Sequence, residues 1–241
     1  MTRERILVAG ATGRVGSDLV ARLCARGLGV RALVRGDAGA LDPRAERVVG
    51  DLRCQVDIQR AVEGCTHVAF VAGVNAIDGR GTSREVECEA VAAMAKACRQ
   101  PDFARFVLLS SAGVTQREHP HNCTFGSVLA WKRLGEETLR ASGVPYVIVR
   151  ALGLRDRPAG EAGVRLVQGD RIAFGEDIAR GDVAAFLADV LVPRSADGFP
   201  CSVTRGSVAN TSFEIFNDAS LAGGTWEYAP CVLAPDPQGQ P

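Results

Sequence analysis

The chain has 241 residues with equal numbers of acidic and basic side chains, so its formal net charge is zero. That balance argues against a polyanion-binding surface, which shows a basic excess, and no apolar run is long enough for a signal peptide or a transmembrane helix. Eight cysteines with no CxxC pair give neither a zinc ribbon nor a redox motif and fit a reduced, cytoplasmic protein without membrane or nucleic-acid partners.

Short apolar, β-branched runs alternate with longer helical patterns through residue 150. Strands are expected at 5–10, 30–34, 46–49, 67–72, 105–110 and 146–150, and helices near 14–26, 56–63, 83–99 and 124–142. Nearly continuous apolar strands are those covered on both faces. Their alternation with helices predicts a doubly wound parallel sheet of the α/β, Rossmann-type class. In the last of these helices, Val128, Trp131, Gly135 and Thr138 share a face at helical spacing, with Lys132 at its edge. Gly143 and Pro145 mark its end.

Beyond residue 150 the pattern changes. A Gly-, Arg- and Pro-rich loop is followed by a short hairpin at 164–174, a helix within 177–191, a late strand at 212–216 and a frayed tail at 234–241. Residues 151–241 are too few for a second core. They read as an annex on the substrate side of a single domain whose dinucleotide-binding core is 1–150.

The most informative stretch is VAGATGRVGSDLV at 8–20. Gly10, Gly13 and Gly16 follow a strand and open a helix. Such glycines serve a tight turn, close backbone approach to a pyrophosphate and helix–strand packing. The helix start adds unpaired N–H groups for phosphate, and the loop as a whole, with Thr12, Arg14 and Val15, is the expected cofactor cradle. The second strand ends in Arg35, which suits the 2′-phosphate of NADP, and Arg14 could reach the same group; Asp37 is the alternative that would suit NAD. NADP is therefore expected over NAD. After the third strand, Asp51 and Leu52 either meet the adenine edge or, for Asp51, cap the next helix. Small residues Ala72 and Gly73 after the fourth strand let a cofactor lie across the sheet edge.

These motifs resemble an atypical short-chain dehydrogenase/reductase of the NmrA-like, NAD(P)-binding type. The resemblance is carried by GATGRVG at 10–16, LVR at 33–35, GDL at 50–52, LLSSAG at 108–113, WKRLGEETLRASGVPYVIVR at 131–150 and IARGDVA at 178–184. It implies a serine, Ser110 or Ser111, near the reacting carbonyl and a lysine, Lys132, on the nicotinamide ribose. The tyrosine that such enzymes place four residues before the lysine is Val128 here. Relatives commonly show Arg-Pro-Gly where this chain has RALG at 150–153, so Ala151 is expected to loosen that turn.

The loop after the fifth strand carries His119, His121, Asn122 and Cys123. His119 or His121 could supply the proton that the tyrosine does not; a polar surface loop is the plainer reading, and three ligands so tightly spaced make poor zinc evidence. The Arg cluster at 155–165 could clamp an anionic substrate or lie in solvent. Asp182 is expected to cap the late helix. The implied activity is an NADP(H)-dependent oxidoreductase acting on a small carbonyl-type substrate, as monomer or homodimer. The absent tyrosine leaves room for a non-catalytic redox sensor or assembly factor, and a redox-neutral isomerase would fit the same scaffold.

Overall fold

The computed structural model describes residues 4–36, 39–74, 82–116, 119, 127–170, 175–192, 210–228 and 234–236. The first six strands are β1 (Arg5–Ala9), β2 (Gly29–Val34), β3 (Glu46–Val49), β4 (His67–Phe70), β5 (Arg105–Ser111) and β6 (Tyr146–Ala151). They lie parallel in the order β3-β2-β1-β4-β5-β6. This is a Rossmann-like α/β sheet, and the strand order reverses between β1 and β4, the position where such sheets bind ligands.

Helices cover both faces. On one face α1 (Arg14–Ala25) and α5 (Arg180–Leu191) pack over a core that includes Leu19, Leu23, Val107, Phe186 and Leu187. On the other, α2 (Gln55–Val62), α3 (Ala90–Ala97) and α4 (Val128–Ala141) cover Leu7, Phe70, Met94, Phe106 and Ile148. A π-helical stretch, Arg84–Glu89, runs directly into α3.

The chain beyond β6 extends the sheet. A small pair, β7 (Leu154–Arg155) and β9 (Ile178–Ala179), stands apart. β10 (Thr211–Asp218) docks parallel to β6, β8 (Gly163–Val167) lies antiparallel to β10, and β11 (Trp226–Tyr228) completes the order beside β8. Of the expected hairpin at 164–174, residues 171–174 lie outside the described residues, and the described part, β8, is paired on both edges, by β10 and β11. β8 finds its partner nearly fifty residues later in β10, because Val164 and Leu166 must be buried with Phe213 and Ile215. Phe186 of α5 meets both Phe213 and Trp226 edge-on, at ring centroids 5.7 and 5.4 Å apart.

The expected face of α4 is corrected too. Leu129, Gly135, Glu136 and Leu139 are the buried residues, and Lys132 falls on their stripe. Two inward positions carry charge, which disguised the buried face. Fully buried Glu136 receives a two-pronged contact from Arg150 of β6, at 3.0 and 2.7 Å. The third nitrogen of Arg150 reaches Glu214 of β10 at 3.0 Å, and Glu214 also accepts the Asp170 N–H. Asp170 in turn accepts the N–H groups of Gly113 and Thr115, tying the loop after β5 to the added strands. β6 runs on through Ala151, whose carbonyl accepts Ala112 N–H at 3.1 Å.

The tail is held rather than frayed over 234–236. Asp236 accepts bonds from Arg140, the Tyr146 hydroxyl and both donors of Ser212. Asp182 is not the helix cap: Ala179 occupies that position, and the Asp182 carboxylate accepts Gly160 N–H and the Asn217 side-chain amide.

Candidate cofactor cleft

The loop between β1 and α1 is built around backbone proximity. Gly10 has φ +90°, and a Cβ there would lie 2.5 Å from the Ala72 nitrogen. A Cβ on Gly16 would lie 2.1 Å from the Gly10 carbonyl oxygen. Glycine is therefore needed at both positions, once for the turn and its approach to β4, once to let α1 close on the loop. Gly13 stands at the start of α1 with no side chain capping the helix and no carboxylate in its first turn. Its N–H groups and partial positive charge suit an anion.

In front of this loop lies a cleft of about 300 Å³. Gly10, Thr12, Gly13, Ala72 and Gly73 form one side, and Arg35, Asp51 and Leu52 close the far end. Eight expected cofactor residues are thus brought together. Val15 and Gly16 are buried behind the loop and contribute through backbone and packing. Arg14 is not among the lining residues and pairs with Asp156, which Arg180 also contacts. Asp37 lies outside the described residues.

Asp51 is not the cap of α2, a position held by Cys54. Its carboxylate is gripped by Arg53 at 2.7 and 3.0 Å, and this hydrogen bonding holds it well below the usual carboxylate range, at about 2. Arg53 itself lines the cleft beside Arg35. The sequence reading missed Arg53, for which no motif position exists.

The serines divide. Ser111 donates its hydroxyl to the Ala112 carbonyl at 3.0 Å. Ser110 is buried with its hydroxyl unpartnered. In register beside Arg150, Ser110 shares the sheet face that α4 covers. Lys132 meets Glu87 of the π-helical stretch, Nζ to Oε2 at 2.7 Å. Val128 opens α4 at the tyrosine position. His119 is buried against Gly113, where an added Cβ would meet its ring at 2.6 Å, and it lies outside the lining of the cleft. His121, Asn122 and Cys123 lie outside the described residues. No helix among the described residues is long and apolar enough to cross a membrane.

A family model described as NAD(P)H-binding matches residues 10–193, most of the chain. The chain belongs to the NAD(P)H-binding family. It is similar to the uncharacterised chloroplastic protein At2g37660 of Arabidopsis thaliana, 29% identical over 77% of this chain and 65% of the relative. It is 32% identical to the chloroplastic protein TIC 62 of Pisum sativum, over 83% of this chain and 42% of that protein. The chain thus spans less than two thirds of the length of these plant relatives. A solved Bacillus halodurans structure, described as an NAD-dependent epimerase/dehydratase, aligns with a TM-score of 0.74 at 25% identity, over 89% of this chain and 94% of that one. The NAD(P)H-binding family and the atypical short-chain dehydrogenase/reductase resemblance coincide. The glycine contacts and the uncapped helix start are what a dinucleotide would require.

Proposed function

We propose that this NAD(P)H-binding protein is an NADP(H)-dependent oxidoreductase acting on a small carbonyl-type substrate. One observation carries the cofactor choice. Two arginines, Arg35 and Arg53, line the far end of the cleft, and the single carboxylate lining it among the described residues, Asp51, is already engaged by Arg53. A 2′-phosphate gains from a guanidinium fork, whereas free ribose hydroxyls call for an available carboxylate.

The glycine loop and the start of α1 hold the diphosphate, Asp51 and Leu52 meet the adenine, and Lys132 serves the nicotinamide-side ribose. When bound, the nicotinamide supplies or accepts a hydride. The Ser110 hydroxyl, lacking any partner, would donate to the substrate oxygen as charge develops there; Ser111 is the neighbouring candidate. The proton that a tyrosine would have moved is assigned to His119 or His121. Titration of the purified protein with NADP⁺ and NAD⁺ tests the cofactor choice. NADP⁺ should bind at least about ten-fold tighter, and Arg35→Ser should remove most of that margin. Equal affinity would defeat the assignment.

A second reading is a non-catalytic NADP(H) sensor or assembly factor. It is favoured by Val128 in the tyrosine position and by the engagement of Lys132 with Glu87. It predicts cofactor binding without consumption. Steady NADPH oxidation with any member of a carbonyl panel would remove it.

A further inference from the structure

The Glu87–Lys132 pair is an enclosed contact beside the cleft. The Lys132 side chain is 17% exposed and that of Glu87 only 5%. Both carboxylate oxygens of Glu87 are used: Oε2 accepts from Lys132, and Oε1 accepts the Val74 N–H at 3.1 Å. Val74 and Gly73 line the cleft, and a Cβ on Gly73 would sit 3.4 Å from Oε1. The carboxylate therefore lies against the cleft wall, one oxygen on Val74 and the other on the Lys132 ammonium.

The surroundings hold this arrangement closed. Gly135, three residues after Lys132, lets α4 approach so near that a Cβ would fall 2.1 Å from the Glu87 carbonyl oxygen. Arg84 lies over the Trp131 ring, 5.9 Å from its centroid, clasping the same two elements. The π-helical winding matters because an inserted residue turns a side chain to a face that regular winding would not give it, and such insertions gather at functional sites. An ammonium has three N–H donors. Glu87 takes one and leaves two.

We propose that Glu87 is a positioning residue. It fixes the Lys132 ammonium so that its remaining donors serve the ribose hydroxyls of the nicotinamide half, in a site where Val128 offers no phenol to share the lysine. This rests on the cofactor reading above.

The test compares two ligands on one protein. NADPH carries both halves of the cofactor, and 2′,5′-ADP carries the adenine half alone. Glu87→Gln should weaken NADPH about ten-fold while leaving 2′,5′-ADP within about two-fold. In a Lys132→Met background the same substitution should add nothing. Should Glu87→Gln fold poorly, Glu87→Asp keeps the charge but draws the carboxylate back from Lys132, and is expected to show the same selective loss for NADPH. A merely structural Glu87 would lower both affinities together, and that result, or unchanged NADPH binding, overturns the proposal. Failure of the unsubstituted protein to bind either ligand would instead overturn the cofactor reading.

Discussion

Arg150→Met isolates the buried charge layer at the β6–β10 seam. Arg150 faces fully buried Glu136 and Glu214. Burial alone would pull its guanidinium down, but the hydrogen bonds and charge of Glu136, with those of Glu214, hold it above its ordinary value. Without it, Glu136 keeps Arg140 at 3.0 Å, while Glu214 keeps only the Asp170 N–H. The uncompensated charge is therefore Glu214. Removing one member of a buried pair costs about 3–5 kcal/mol, a large fraction of a typical domain's stability. For a chain of this size that lowers Tm by roughly 6–20 °C. In urea at pH 7 the midpoint should fall with the m-value unchanged.

The pH dependence follows from Glu214. Burial raises its carboxyl, opposed by the charge of Arg150, so losing Arg150 raises it further. The folded state then takes up the proton more readily than the unfolded chain. The associated stability is complete below the unfolded value, about 4.3, and is lost as pH rises through the folded one. The deficit of Arg150→Met should thus narrow from pH 7 to pH 5, and adding Glu214→Gln should recover much of it. A single variant within about 1 kcal/mol of the parent, or a deficit flat in pH, would refute the reasoning.

Two further outcomes are expected. Asp236→Asn removes the charge that, after burial, pushes the Tyr146 phenol up; Tyr146 should ionise at lower pH in a spectrophotometric titration, with stability reduced by about 1–3 kcal/mol. Burial and then the Arg105 charge hold the His67 imidazole down at about 4. Stability due to its neutral form is full above the unfolded value near 6.5 and declines as pH falls toward about 4. His67→Gln should flatten that part of the acid-unfolding curve, and an unchanged slope would count against the assignment.

The first six strands were legible because strands covered on both faces announce themselves as short apolar runs. The glycine loop was legible because its parts are contiguous. The pairing of β8 was not legible because β10 begins more than forty residues downstream, and local pattern carries no information on that pairing. The face of α4 was misread because Lys132 and Glu136 point inward, where periodicity expects apolar side chains. Arg53 and Glu87 escaped notice for different reasons. Arg53 is fixed by a local partner, Asp51, two residues before it, in a pairing that no motif prescribes, and Glu87 by a tertiary one, Lys132, forty-five residues on. Glu87 is one of three alternating acidic residues, Glu85, Glu87 and Glu89, and nothing in that pattern singles it out.

The placement of β10 between β6 and β8 also has a consequence for synthesis on the ribosome. Until residues 211–218 have emerged, β6 presents an open edge, Arg150 lacks Glu214, and Phe186 lacks its ring partner Phe213. The nucleotide-binding strands would then be complete while their flank still invites foreign strands. A nascent chain stalled near residue 195 is expected to be captured by holdase chaperones far more readily than one released whole.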